Sequence, residues 1–180
     1  MGCVCDGIKL RCSRKIEPKE DDREGPPTWT QDEISVLQNN WQVLKLHLAN
    51  IGVNTFISLF ESKPELKDLF KQFRGKDLKI LRFTSLLRKH AKRVMATLEK
   101  CVLHLDDPAS VIPSLTKLGK VHAKSKVPDN YLELILPFFL NSIKPYIEEF
   151  WCSALEDAWS KVFIWMTFHI REGMVKYDKR

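Results

Sequence analysis

Two histidines interrupt apolar stripes that recur at helical spacing. Phe83, Leu86, Leu87, His90, Val94, Leu98 and Val102 fall on one face of a helix with 3.6 residues per turn. Ile112, Leu115, Leu118 and His122 fall on one face of the next. A neutral imidazole is cheaper to bury than a charged side chain, but its one donor and one acceptor still need partners. A lone histidine in such a place is more often a core residue bonded to a backbone carbonyl. Two on successive inward faces point elsewhere, because neutral imidazole is a good ligand for transition metals. No carboxylate or thiolate lies beside either one in sequence to complete a zinc or hard-ion site. Two imidazoles between apolar walls suit a large flat cofactor that brings its own equatorial ligands, and haem is the obvious case.

Helices must position these two rings, and their signals are strong. Thr30-Gln31-Asp32-Glu33 is a capping box, followed by Ile34, Leu37, Trp41 and Leu44 on one face. A second helix is expected over residues 52–62, burying Val53, Phe56, Ile57 and Phe60. Pro64 ends it and opens a short helical turn over 65–70. Residues 71–82 are polar and basic with Gly75, which predicts a loop or a frayed helix. Asp106, Asp107 and Pro108 stop the His90 helix, and Val127-Pro128-Asp129 breaks the His122 helix. Asp129 is placed to cap a helix carrying Tyr131, Ile135, Phe138, Phe139 and Ile143. A last helix carries Trp151, Leu155, Trp159, Val162, Met166 and Ile170. No internal repeat and no strand alternation stand out. The expectation is an all-α domain over residues 29–180 behind a flexible arm, residues 1–28.

Composition agrees. The chain has 180 residues, enough for one domain with a sizeable core, and only seven glycines, which favours helices over a turn-rich sheet protein. The net charge of +6 is modest, and most basic residues alternate with acids, so nucleic-acid binding is not expected. The longest strongly apolar run, Leu134 to Leu140, is far shorter than the roughly 20 residues of a membrane span. No apolar signal segment opens the chain, which predicts a reducing, cytosolic setting. Trp151, Trp159 and Met166 read as core, Cys101 and Cys152 as small buried hydrophobes, and His47, His104 and His169 as surface or helix-end residues.

Across residues 30–176 these features resemble the globin family. Trp41 sits where globins place the tryptophan of the first helix. Gly52 matches the small residue at which the second helix crosses the distal helix, here against Ala91. Pro64 and Phe70, six residues apart, match the start of the short third helix and the phenylalanine packed on haem. Phe73 matches the second aromatic of that corner. Leu-Arg-Lys-His-Ala-Lys-Arg-Val, residues 87–94, resembles the distal segment. Leu-Gly-Lys-Val-His-Ala, residues 118–123, resembles the proximal one, with Val127, Pro128 and Tyr131 following as in globins. The resemblance implies a globin fold of about seven to eight helices around one haem b (iron protoporphyrin). It implies His122 as the proximal iron ligand and His90 on the distal side. It further implies cofactor contacts from Phe70, Phe73, Arg93, Val94, Val127, Tyr131 and Ile135, and a ligand pocket lined by Phe56, His90 and Val94. Arg93 either reaches a haem propionate or stays solvated. Within the family, the basic domain, Phe56 beside His90 and the cysteine-bearing arm are most similar to globin X, a neuroglobin-like lineage. Residues 71–82 contain no cysteine, so the disulfide of the neuroglobin interhelical corner is not expected.

The resemblance implies binding of O2, CO or NO and a change of iron redox state. Spacing leaves open whether His90 hydrogen-bonds a bound ligand or itself takes the sixth position. The resemblance implies the second, which suits redox, nitric oxide, nitrite or sensing chemistry more than bulk oxygen storage. An ordinary pentacoordinate oxygen-binding globin is one alternative, and a membrane-tethered helical adaptor without haem is another. Nitrite reduction or nitric oxide dioxygenation at the iron needs a separate reductase, since the chain carries no flavin or nicotinamide motif.

The arm opens Met1-Gly2-Cys3-Val4-Cys5, which resembles the dual-acylation start of membrane-anchored signalling kinases. Myristate on Gly2 alone would bind marginally, and palmitate on Cys3 and Cys5 would make the anchor stable. Lys9, Arg11, Arg14 and Lys15 would then face the anionic inner leaflet of the plasma membrane; without acylation the protein is cytosolic. The myristoylation motif takes Ser or Thr at the sixth position, where this chain has Asp6. An alkyne myristate analogue fed to cells is expected to label the wild type and not Gly2→Ala, which moves from the membrane to the soluble fraction. An unlabelled wild type would end the acylation reading and leave the helical domain untouched.

Overall fold

The computed structural model describes residues 3–5, 8–10 and 25–178. Gly2 and residues 11–24 of the arm lie outside the described residues. Eight α-helices occur among the described residues: α1 (Gln31–Leu44), α2 (Leu48–Ser62), α3 (Pro64–Asp68), α4 (Leu78–Leu81), α5 (Ser85–Leu103), α6 (Ile112–Lys124), α7 (Leu136–Ile143) and α8 (Ser153–Asp178). None of them is long and apolar enough to cross a membrane. At the N-terminus, β1 (Cys3–Cys5) pairs antiparallel with β2 (Ile8–Leu10), Cys3 opposite Leu10, a short hairpin that the sequence pattern did not suggest.

The helix starts are chemically specified. Thr30 accepts from the Glu33 N–H while the Glu33 carboxylate accepts from the Thr30 N–H at 2.8 Å, completing the capping box of α1. Pro64 occupies the first turn of α3, where its missing N–H costs nothing. Asp77 caps α4 and Thr84 caps α5. Between α1 and α2 the chain bends by 96°.

The buried side chains form two clusters. The larger joins α1, α7, α8 and the second half of α5 around Leu37, Trp41, Phe139 and Trp159. The smaller joins α2, α3 and the first half of α5 around Phe56, Phe60, Phe73, Leu81 and Leu87. Val94 and Ile135 touch both. Where α2 crosses α5, a Cβ on Gly52 would meet the Ala91 Cβ at 3.0 Å and the Met95 Cγ at 3.1 Å.

Four expectations are corrected. Phe83 is 71% exposed and Leu86 41%, because the Thr84 cap leaves Phe83 outside α5 and the helix phase turns Leu86 outward; Leu87, Ala91 and Met95 form the buried face instead. The segment after Pro128 is not one helix. Two single 3-10 turns, Asp129–Tyr131 and Glu133–Ile135, precede α7, because Pro137 has no N–H with which to continue an α-helix from Glu133. Trp151 lies just ahead of α8 and is half-buried. His169 is buried rather than superficial: Glu172, one turn on, sits 3.0 Å from its Nδ1, and the Trp165 and Phe168 rings pack edge-on against it. Cys101 and Cys152 are buried free thiols as expected, and burial pushes the Cys101 pKa up to about 12, so it is an inert hydrophobe.

The tightest contact in the fold is between α6 and α8. A Cβ on Gly119 would lie 1.9 Å from the Ile170 carbonyl oxygen, and a Cβ on Gly173 would lie 2.1 Å from that of Thr116. Each glycine presses on the other helix's backbone, which cannot yield as a side-chain tip can. Gly119→Ala is therefore expected to destabilise the domain by at least about 2 kcal/mol, as overpacking against backbone does. Gly52→Ala should change stability by under about 1 kcal/mol, since helix propensity offsets mild crowding. Gly25→Ala, with nothing within 4 Å, should be neutral. Thermal unfolding of the three variants checks the order, and an unperturbed Gly119→Ala would contradict the crossing.

Candidate functional site

α6 brings His122 to the site, and its position is held twice. The Nδ1–H can donate to the Leu118 carbonyl oxygen one turn back, at 3.0 Å. That bond sets the tautomer in which Nε2 carries the lone pair, the arrangement of a metal-ligating histidine. The His122 carbonyl accepts from the Val127 N–H at 3.1 Å, while the Lys126 N–H donates to the Ala123 carbonyl at 2.9 Å. This reciprocal pair closes α6, with Lys126 in the left-handed region at φ 56° where glycine is usual.

His90 sits on α5, in the middle of an aromatic group. The Phe56 and Phe70 rings each lie edge-on to it at 4.9 Å. Phe70 is backed by Phe60 at 5.7 Å and stacks on the fully buried Phe73 at 5.1 Å. His90 makes no hydrogen bond among the described residues. Burial pushes its pKa down to about 4, helped by the charges of His122 and Arg93. At neutral pH the ring is uncharged with a free lone pair.

The remaining predicted residues distribute unevenly. Val94 is half-buried one turn beyond His90 on the same helix, and joins the two cores. Tyr131 and Ile135 are half-buried against the smaller core, and Val127 is half-buried where α6 ends. Arg93 is exposed, on the surface side of α5. Further along, α5 and α6 border an open surface cleft of about 380 Å³, lined by Ala96 and Thr97 on one side and Leu115, Leu118 and Val121 on the other; neither histidine lines it.

This donor set discriminates between metals. Among the described residues no three His, Cys, Asp or Glu side chains come together as a site for a bare ion. Two imidazoles alone would leave such an ion under-coordinated. They fit a metal whose equatorial ligands belong to a planar macrocycle, and the aromatic and aliphatic walls fit its faces. The residues present therefore suit haem, which His122 and His90 would hold.

Sequence reasoning missed what sets the height of His122. Gly119 lies three residues before it, one helical turn, at the backbone contact with Gly173. Arg171 of α8 also bonds Glu133 at 2.8 Å, so the same helix steadies the turns that carry Tyr131 and Ile135. A glycine inside a helical stripe was the available signal, but its partner lies 54 positions away.

A family model described as Globin matches residues 53–167. The chain is 30% identical to Cytoglobin-2 of Danio rerio over 156 residues, covering 86% of this chain and 87% of the relative. It is 24% identical to an anaerobic nitrite reductase of Brassica napus over 159 residues, 87% of this chain and 98% of that one. Among solved structures, a hexacoordinated haem protein from an anhydrobiotic tardigrade superposes with a TM-score of 0.76 at 21% identity, covering 82% of this chain and 96% of that one.

His122→Gly is expected to abolish or severely weaken haem retention, since no other ligating side chain lies on the inner stripe of α6. Haem retention equal to wild type with an unchanged spectrum would contradict the assignment.

Proposed function

This chain belongs to the globin family, and on that premise we propose that it is a bis-histidine haem protein that changes iron redox state and binds small diatomic ligands. The observation that carries the proposal is His90: a neutral imidazole with no hydrogen bond among the described residues, caged by Phe56 and Phe70 opposite the helix of His122. The cage offers His90 no competing hydrogen-bond partner among the described residues, which leaves its lone pair available to a metal. The tardigrade protein is a hexacoordinated haem protein and the plant relative is an anaerobic nitrite reductase, and both support the same direction.

The residues divide the work. His122 is the fixed donor, because Leu118 locks its tautomer and Gly119 its height. Phe70, backed by Phe73, supports the face of the macrocycle, with Val94, Val127, Tyr131 and Ile135 along its edge. Arg93, exposed one turn from His90, is free to meet a propionate. Haem, when bound, supplies the redox couple and the site for O2, CO, NO or nitrite. If His90 holds the iron, a ligand would enter only in the fraction of molecules with His90 displaced, which would lower apparent affinity by that fraction. Phe56 and Val94 then line the space it vacates. Such gating suits electron transfer, nitrite or nitric oxide chemistry, or sensing, with electrons from a separate reductase.

We place the protein in the globin X lineage and assign the N-terminal arm an acylation role, Gly2 with Cys3 and Cys5, at the cytoplasmic face of the plasma membrane. The lineage rests on the basic domain, Phe56 beside His90 and the cysteine-bearing arm, and the acylation role on the sequence of the arm alone. A pentacoordinate oxygen carrier would instead leave His90 off the iron, and a haem-free adaptor would purify without pigment.

The test is His90→Leu. The variant is expected to turn a low-spin ferrous protein high-spin and to bind CO at least about tenfold faster, having lost a competing internal ligand. A wild-type ferrous protein that is already five-coordinate, with CO binding unchanged by the substitution, would leave His90 as a hydrogen-bond donor only.

A further inference from the structure

Residues 71–93 carry nine lysines and arginines against one acid, Asp77, in a chain whose total net charge is +6. The rest of the molecule is therefore slightly acidic, and its positive charge is concentrated here rather than alternating with acids, as the sequence had suggested. All nine cations are exposed, and none forms an ion pair among the described residues. Asp77, whose carboxylate caps the Lys79 N–H of α4, offsets only one of the nine positive charges.

Bulky apolar side chains stand out of the same surface. Ile80 is 66% exposed, Phe83 71% and Leu86 41%. They alternate with Lys79, Arg82, Arg88 and Lys89 along the end of α4 and the start of α5. The sequence here places three large hydrophobes in water, although Leu78, Leu81 and Leu87 beside them turn inward to the smaller core. Exposure this high marks side chains that protrude from a rounded corner, not the floor of a groove.

We propose that this corner is a binding surface for an anionic lipid bilayer. Lysine and arginine meet the phosphate and serine headgroups, while Ile80, Phe83 and Leu86 enter the boundary between headgroups and acyl chains. A fluid bilayer accommodates protruding side chains on a convex corner, whereas a protein partner would need matching hollows for them. The surface lies on the first half of α5, so docking sets the His90 helix against the membrane. This inference is independent of N-terminal acylation and of iron coordination.

Full-length holoprotein made without acylation is mixed with phosphatidylcholine vesicles with and without phosphatidylserine, and sedimented. It is expected to bind the phosphatidylserine vesicles, and raised salt should release it. Lys76→Glu/Lys79→Glu/Lys89→Glu should weaken binding by about tenfold or more, and Ile80→Ser/Phe83→Ser should weaken it severalfold at equal charge. Exposed positions keep the fold, so helical content and the haem spectrum of both variants should match wild type. Neutralising Lys9, Arg11, Arg14 and Lys15 should leave most of the binding intact. No binding to phosphatidylserine vesicles would overturn the proposal. So would binding that only the N-terminal substitutions remove, or a corner that captures an acidic protein but no vesicle.

Discussion

The backbone contact between α6 and α8 governs where His122 stands. Two glycines, Gly119 and Gly173, let the helices approach until each peptide touches the other. α6 buries little of its own surface, only Leu115 and Gly119, so hydrophobic burial alone would not fix its height or rotation. α8 can fix them because it is anchored by Trp159, Val162, Phe163 and Ile170 in the larger core. A rigid, well-buried helix thus lends its precision to a half-buried one. The Leu118 carbonyl and the closing turn at Lys126 and Val127 carry that precision from the helix to the imidazole ring.

His90 is positioned by different physics. Its helix is buried along Leu87, Ala91, Met95 and Leu98, and Gly52 lets α2 pack closely on that face. Its ring then rests against aromatic edges that offer no hydrogen bond. Burial keeps the lone pair unprotonated at neutral pH and so available to a metal. The two histidines are therefore held differently: the His122 ring by a hydrogen bond, and the His90 ring by packing.

Much of this was legible in the residues. The capping box at Thr30, the Pro64–Phe70 spacing and the inward histidines on two successive helices identify the helical domain and single out both candidate donors, because each depends on local chemistry. Other features depend on contacts that spacing does not encode. Phe83 reads as core by periodicity, but the Thr84 cap starts the helix after it and leaves it in water. His169 reads as a surface residue until Glu172 and Trp165 are seen to enclose it. The run beyond Pro128 carries helical apolar spacing, and Pro137 still breaks it into turns. Gly119 and Gly173 acquire meaning only as a pair. The basic corner was counted within a modest overall charge until its neighbours proved to be exposed hydrophobes.

The central claim is that His122 and His90 meet one iron from opposite faces. Electron paramagnetic resonance of the ferric wild-type holoprotein at neutral pH tests it most directly, because it reports the number and type of strong axial ligands. The account predicts a low-spin signal of two neutral imidazoles with no high-spin fraction. A dominant high-spin signal, showing an iron with one imidazole and an open or water-filled sixth position, would contradict it.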